Sequence, residues 1–485
     1  MPHYSSTPFG YALDSSGIET QPRTREKVSN QNRTTRFWSK FRRSRHGKLS
    51  RLEVRSKPLF VHQRATFTAT LLFLLIYSGP PKFRLRDTEA SLRGDVDWVV
   101  VLHILVWGLA GAWVLFQMIL KRDRAKLLVA GLRMPQKLGL AMILLLAVSA
   151  VLSKAPALSA FRIYQMAVCL LFTQLFVQRF GYASCLKNIF WGTVLLCGTI
   201  AVCAFLAPDL VWIGSDFNPD PSRLRGDLIA SNGTVSALAT ILLLTGVRKI
   251  WRVLPLALLG LFLGLLVFSL MRTAYLVLLG FFVLVLMKRP NAKSLKQFAY
   301  LAGALALTVY ACGWLPSLSQ YRRPEDIANL GDRLGLWRYL SNITLTQSPW
   351  LGLGYYSASR VYGPQYNLGL GNAHSMFFEI LLGGGVLSFA LFLALCIMLS
   401  MYAACLLCKN RDRFSFAIVS LFLATLIFGS MGDEIDSGPA ALCFWYSVAV
   451  LPWLYERSAV RAKRPVESRK QLPLTTGIQL DSEVP

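Results

Sequence analysis

Uninterrupted apolar stretches dominate this chain, in place of the short-period alternations of a soluble helix or strand. They fall at about 60–79, 97–120, 137–152, 157–178, 187–207, 233–247, 252–270, 272–288, 297–315, 373–407, 414–430 and 438–455. A helix that crosses the hydrocarbon layer uses roughly 20 apolar residues, so this pattern predicts an all-α, polytopic integral membrane protein with about 12 transmembrane helices. The third and eighth stretches are short and need flanking residues or a different tilt. The tenth is long enough to rise out of the bilayer. Composition agrees: 54% of the 485 residues are hydrophobic and 16% are charged, with a mean hydropathy of +0.45. These values exclude disordered, collagen-like and disulfide-rich secreted classes.

The polar segments give the orientation. The chain carries a formal charge of +27, and the connections at 121–126, 178–187, 247–252, 288–296, 409–413 and 456–465 are all basic. The alternate set includes 152–157, an acidic run with Asp433, Glu434 and Asp436, and the two longest connections, 208–232 and 316–371. Basic loops stay on the cytoplasmic side, so both termini are expected in the cytoplasm and the long loops on the outer face. Residues 1–57 hold 13 Lys/Arg against four Asp/Glu. They read as a disordered basic tail lying against anionic headgroups, so the excess charge points to membrane lipids, with no nucleic acid expected. Residues 58–457 form the transmembrane domain and 458–485 a cytoplasmic C-terminal tail. The first long apolar run starts near Leu59, so no signal peptide is expected. The nine cysteines lie mostly inside apolar runs, where free thiols pack as small hydrophobes.

Candidate chemistry gathers at the outer face. Loop 316–371 is longer than a helix connection needs. It carries Trp337, Trp350, six tyrosines that include Tyr355 and Tyr356, and Arg322, Arg323, Arg333, Arg338 and Arg360. Arginine outside opposes the orientation rule, so its presence there calls for a role. Arg272 lies between two apolar segments, where an arginine is paired, interfacial or functional. Arg223 and Arg225 occupy loop 208–232, just before Asn232. His374 stands at the mouth of the tenth segment and can take up a proton near neutral pH. Glu379, five residues on, needs an arginine or a hydroxyl as partner. Arginines suit a diphosphate and aromatic rings suit sugar faces. No metal-ligand spacing and no phosphate-binding glycine loop occurs, so no cofactor is expected.

At these residues the sequence resembles the bacterial O-antigen ligase and O-antigen polymerase superfamily of membrane glycosyltransferases. The likeness rests on the twelve-span pattern with a large loop between helices 9 and 10, on Arg272 opening the eighth span, and on Arg223, Arg225, Gly226 and Asn232 before the sixth. It rests also on Arg333, Trp337, Pro349, Gly352 and Gly354 in the loop, and on His374, Ser375 and Gly385, with Ser388 where the family pattern has a second glycine. The resemblance implies transfer of a glycan from undecaprenyl diphosphate to a sugar hydroxyl, with inversion and without metal. His374 would be the general base. Arg272 with Arg223 or Arg225 would hold the diphosphate. Arg333 would help to hold the acceptor or donor, and Trp337, Tyr355 and Tyr356, as aromatic rings suited to sugar faces, are expected to bind substrate.

Polymerisation of surface polysaccharide or exopolysaccharide repeat units is the preferred reading, with ligation of the glycan to lipid A core as the alternative. A lipid-linked oligosaccharide flippase is a reading from another class. It would place its charges near the bilayer midplane and show repeated helices. The expected partners are the lipid-linked donor, a glycan or lipid A core acceptor, and flippase, chain-length or export proteins.

Overall fold

The computed structural model describes residues 63–78, 97–120, 131–213, 223–224, 230–246, 254–288, 333–366, 372–409, 412–432 and 435–463. Thirteen α-helices occur among them. They are α1 (Gln63–Ser78), α2 (Trp98–Leu120), α3 (Met134–Val151), α4 (Pro156–Phe180), α5 (Tyr182–Leu206), α6 (Asn232–Leu244), α7 (Leu254–Ser269) and α8 (Arg272–Lys288). After these come α9 (Arg333–Gln347), α10 (Ser357–Tyr366), α11 (Met376–Lys409), α12 (Arg413–Met431) and α13 (Gly438–Lys463). A two-residue antiparallel pair, β1 (Trp212–Ile213) with β2 (Arg223–Leu224), is the strand pairing among the described residues. Eleven of the twelve apolar stretches coincide with helices. The stretch 297–315 and the tail 1–57 lie outside the described residues.

Among the described residues, seven helices are long and apolar enough to cross a membrane: α2, α3, α4, α5, α11, α12 and α13. Helix is the only open-ended structure that satisfies every backbone group inside lipid, so runs of Leu, Val, Ile and Phe become helices whatever their individual propensities. Apolar side chains remain on the outside of the bundle: Phe205 is 87% exposed and Leu206 81%, as expected of surfaces that face lipid. α11 packs along α3, α12 against α13, and α4 against α13. The basic connection at 178–187 is almost wholly helical. Gly181 alone separates α4 from α5, at φ 82°.

Two breaks in helical hydrogen bonding are filled by other parts of the chain. Pro452, inside α13, lacks an N–H and leaves the carbonyl of Val448 without its helical donor. The buried Gln136 Nε2 donates to Val448 O at 3.1 Å and to Ala449 O at 3.2 Å. The larger break is in α11, which is two helices meeting at Gly385 (φ 63°, ψ −167°), where the sequence pattern alone predicted one continuous span. Segment 349–354 enters this break. Leu353 N donates to Leu382 O at 2.9 Å and Gly354 N to Gly383 O at 3.0 Å, while Val386 N donates to Pro349 O at 2.8 Å and Leu387 N to Trp350 O at 3.4 Å. Ser149 of α3 closes the arrangement, donating to Gly383 O and accepting from Gly354 N.

Such an approach of backbone to backbone leaves no room for side chains. A Cβ on Gly352 would lie 2.5 Å from Gly383 C and Gly385 N, and one on Gly385 would lie 2.4 Å from Trp350 C. Both glycines also hold positive φ, which a side chain disfavours. Ser388, where the family pattern has glycine, is buried opposite Gly384, so the missing side chain at 384 makes its space.

Gly352→Ala and Gly385→Ala are each expected to cost roughly 2–5 kcal/mol and to lower the midpoint of thermal unfolding in detergent. Gly198→Ala in α5, with nothing within 4 Å of its added Cβ, should leave that midpoint unchanged or raise it. Melting followed by fluorescence-detected size exclusion distinguishes the three.

Candidate functional site

Residues 333–366, within the longest predicted loop, fold as α9 and α10 joined by the segment that enters α11. A small core forms between them and the start of α11, from Leu336, Leu340, Ala358, Tyr362, Ala373 and Leu382. His374 sits in the non-helical turn 372–375 that leads into α11. Its φ is +49°, a conformation that costs a non-glycine residue about 1–2 kcal/mol and persists only where the surroundings enforce it.

The enforcing contacts fall on both sides of the preceding residue. The indole Nε1 of Trp337 donates to Ala373 O at 2.6 Å, and the Trp337 ring stacks on Phe378 at 4.4 Å and 14°. Glu379 Oε1 accepts from Ala373 N–H at 2.7 Å and its Oε2 accepts from Ser359 Oγ at 3.0 Å. The His374 N–H donates to Asn372 Oδ1 at 3.1 Å. The partners of Glu379 are therefore a hydroxyl of α10 and a backbone amide of the histidine turn. Its carboxylate is 1% exposed, so these bonds offset a desolvation that would otherwise be severe. The His374 side chain is half-buried.

The arginines occupy two further groups. Arg272 is the first residue of α8 and its side chain is exposed. It follows a tight turn in which Leu270 has φ +50° and Ser269 Oγ accepts from Met271 N at 3.2 Å. Met271 fills the space left by Gly233, whose Cβ would fall 2.6 Å from that of Met271. The neighbouring Asn232 donates from Nδ2 to Leu224 O at 2.9 Å and to Leu265 O at 2.8 Å. Asn232 thus ties the strand that begins with Arg223 to α7, directly before the turn to Arg272. The backbone of Arg223 and the start of α8 meet around α6. Arg225 lies outside the described residues. Arg333 opens α9, and its Nη1 donates at 2.5 Å to Met431 O, the last residue of α12, where the helix dipole favours a cation.

Tyr355 and Tyr356 do not present open ring faces, although the sequence places them as substrate-binding aromatics. Tyr355 is 0% exposed and Tyr356 3%. The peptide of Tyr355 passes against Gly383 and accepts from Ser159 Oγ at 2.9 Å. Trp337 is likewise packed under the histidine turn. A short segment outside the main bundle needs apolar area for its own cohesion, and its aromatic rings supply it. The Tyr356 ring is covered by Arg162, whose guanidinium lies 4.1 Å from the ring centroid, and by Arg360 at 5.1 Å, with Arg360 Nη2 donating to the phenol oxygen at 2.9 Å.

Arg162 escaped the sequence reading. It lies inside α4 and pairs at 2.7 Å with the fully buried Asp436. Its signal was a guanidinium within an apolar stretch, which needs a partner. Among the described residues no three His, Cys, Asp or Glu side chains converge at metal-binding range.

Among the described residues the histidine turn is braced at the start of α11, Arg333 opens α9, and Arg272 opens α8 in a separate group. No curated protein matches this chain. Residues 222–393 match the family model described as O-antigen ligase, a stretch that holds Arg223, Arg225, Arg272, Arg333, Trp337, Tyr355, Tyr356 and His374. Over that segment the chain is similar to the O-antigen ligase family, which supports the resemblance to the O-antigen ligase and polymerase superfamily, and its long apolar helices fit a multi-pass membrane protein.

Proposed function

We propose that this protein transfers a glycan from undecaprenyl diphosphate to a sugar hydroxyl at the periplasmic face of the bacterial inner membrane, and that it polymerises repeat units of a surface polysaccharide or exopolysaccharide. The observation that carries the reading is His374. It is a strained, half-buried histidine, fixed through Ala373 by Trp337 and Glu379, within the matched segment. Backbone strain held by surrounding bonds clusters at functional positions, and this supports a chemical role for His374.

In this mechanism the acceptor hydroxyl oxygen attacks the anomeric carbon as the bond to the diphosphate oxygen breaks. The hydroxyl proton passes to His374, the anomeric centre inverts, and undecaprenyl diphosphate departs. Arg272, with Arg223 and Arg225, holds the diphosphate and stabilises the charge that develops on it. Arg333, at the start of α9, helps to hold the donor or the acceptor. The donor arrives already activated, so orientation of the two substrates supplies much of the acceleration. The same geometry serves a lipid A core acceptor in a ligase. The family match favours glycan transfer over lipid flipping.

His374→Ala should lower transfer by about 10²–10⁴-fold, the range of a general base, at unchanged abundance and melting temperature. Near-normal glycan ladders from proteoliposomes would exclude the role. Arg272→Lys should lose roughly 10²-fold in kcat, because a point charge cannot reproduce a forked donor; steady-state kinetics with lipid-linked repeat units reads this out. Glu379→Gln retains an oxygen for the Ala373 N–H, and its amide can donate to Ser359 Oγ, which also contacts Tyr356 O at 3.3 Å. That variant should keep most of its kcat, whereas Glu379→Ala should lose it at little change in acceptor KM. Equal loss in both, with folding intact, would show that the charge of Glu379 and not its hold on the turn is what matters.

A further inference from the structure

α11 is longer than a bilayer needs. Its apolar stretch Met376–Cys408 has 33 residues, about 50 Å of helix against a hydrocarbon layer of roughly 30 Å. Side-chain exposure shows where the surplus lies. No residue of 376–385 is exposed, and α9 and α10 pack against this part. From Val386 onward a stripe is exposed at every third or fourth position, through Leu387, Ala390, Ala394, Ile397 and Met401 to Cys408. That stripe is about 33 Å long, close to the thickness of the hydrocarbon layer, and Lys409 follows at its far end. The lipid-facing part of α11 therefore starts at the break, and residues 376–385 stand beyond it.

Trp350 is fastened to the start of this stripe. Its carbonyl accepts from Leu387 N at 3.4 Å, and Pro349 O accepts from Val386 N at 2.8 Å. Although its backbone fills a helix break, the Trp350 side chain is 63% exposed. Leu345, in the last turn of α9, is exposed as well, and so are Val386 and Leu387. The polar side chains that follow Leu345 are engaged within the unit. Thr346 Oγ1 donates to Asn342 O at 2.8 Å, and Gln347 Oε1 accepts from the Tyr362 hydroxyl at 3.0 Å. A ring that binds a polar ligand needs placed hydrogen-bonding groups around it, whereas the exposed neighbours of Trp350 are aliphatic. An indole joins a large apolar body to one N–H donor and favours the level of the lipid headgroups. Trp350 stands at that level, at one end of a stripe as long as the hydrocarbon layer is thick.

We infer that Trp350, with Leu345, Val386 and Leu387, forms a docking surface for the lipid leaflet and seats the α9–α10 unit on the membrane interface. The surface is continuous with the lipid-facing stripe of α11. Residues 333–366 are then a membrane-bound unit, and not a loop that extends into solvent. α9 and α10 also carry Trp337 and Ser359, the braces of the histidine turn, so the contact sets the height of His374 over the headgroups.

The test places a nitroxide on the full-length protein in vesicles of phosphatidylethanolamine and phosphatidylglycerol. Cys203, Cys312, Cys405 and Cys408 are replaced by alanine so that the label reports one site. Trp350→Cys is compared with Ile397→Cys, in the middle of the stripe, and with Gln365→Cys, exposed near the end of α10. Collisions with oxygen, which enters lipid, and with a water-soluble nickel chelate give the depth of each label. The label at 350 should favour oxygen severalfold more than the label at 365, and lie about 15 Å shallower than the label at 397. A label at 350 that meets the chelate as freely as the one at 365 would overturn the lipid contact and leave the ring to a soluble ligand such as a glycan. Shielding from both reagents would overturn it in favour of a protein partner. Should Trp350→Cys fail to fold, brominated phospholipids give a second reading. They should quench a larger fraction of tryptophan fluorescence in the wild-type protein than in Trp350→Phe, and equal quenching would rule the contact out.

Discussion

The structure depends on a constraint of the bilayer: a backbone amide or carbonyl at membrane depth must be bonded within the protein. α11 violates helical continuity at Gly385, and the violation is tolerated because segment 349–354 takes over the hydrogen bonds on both sides of it. Leu353 and Gly354 donate to the two carbonyls below the break, and Pro349 and Trp350 accept from the two amides above it. The exchange brings α9 and α10 against the start of α11, and so against the histidine turn. The glycines at 352, 354, 383 and 385 are required by this contact, because any side chain there would meet backbone, or at Gly354 the side chain of Ser153.

From that contact the geometry of His374 follows. Once α10 is anchored, Ser359 is placed to bond Glu379, and Glu379 to fix Ala373. α9 brings Trp337 to the other side of the same peptide. The left-handed conformation of His374 is thus held by bonds to the N–H and carbonyl of Ala373 and to its own N–H, and not by a preference of the residue itself. The backbone of the histidine turn, although non-helical, is braced by α9, α10 and α11.

Charge is placed with similar economy. Three buried or half-buried ionic groups near the outer face have polar partners: Asp436 has Arg162, Glu379 has a hydroxyl and an amide, and Arg333 has the C-terminal carbonyl of α12. Unpartnered ions would be prohibitive in this environment. Arg272 differs from these in standing exposed at the start of a helix.

The sequence by itself determined the helices. Apolar runs of span length have no stable alternative in lipid, and eleven of them appear where hydropathy places them. It also marked the residue types that matter, since His374, Arg272, Arg333 and Glu379 are conspicuous in apolar or outer surroundings, and the glycines of 349–354 and 383–385 stand out as a pattern. Only the tertiary structure decided what each of these does. No periodicity reveals that Gly385 breaks α11, because a break is stable only when a distant segment supplies its hydrogen bonds. Nor does composition distinguish a tyrosine that meets sugar from one that packs: Tyr355 and Tyr356 are buried by contacts with α3, α4 and α11, from residues up to two hundred positions away. Arg162 and Asp436 lie 274 positions apart, and only the packing of α4 against α13 makes them a pair. Local chemistry is written along the chain, but partnership depends on which distant groups the fold brings within hydrogen-bond reach.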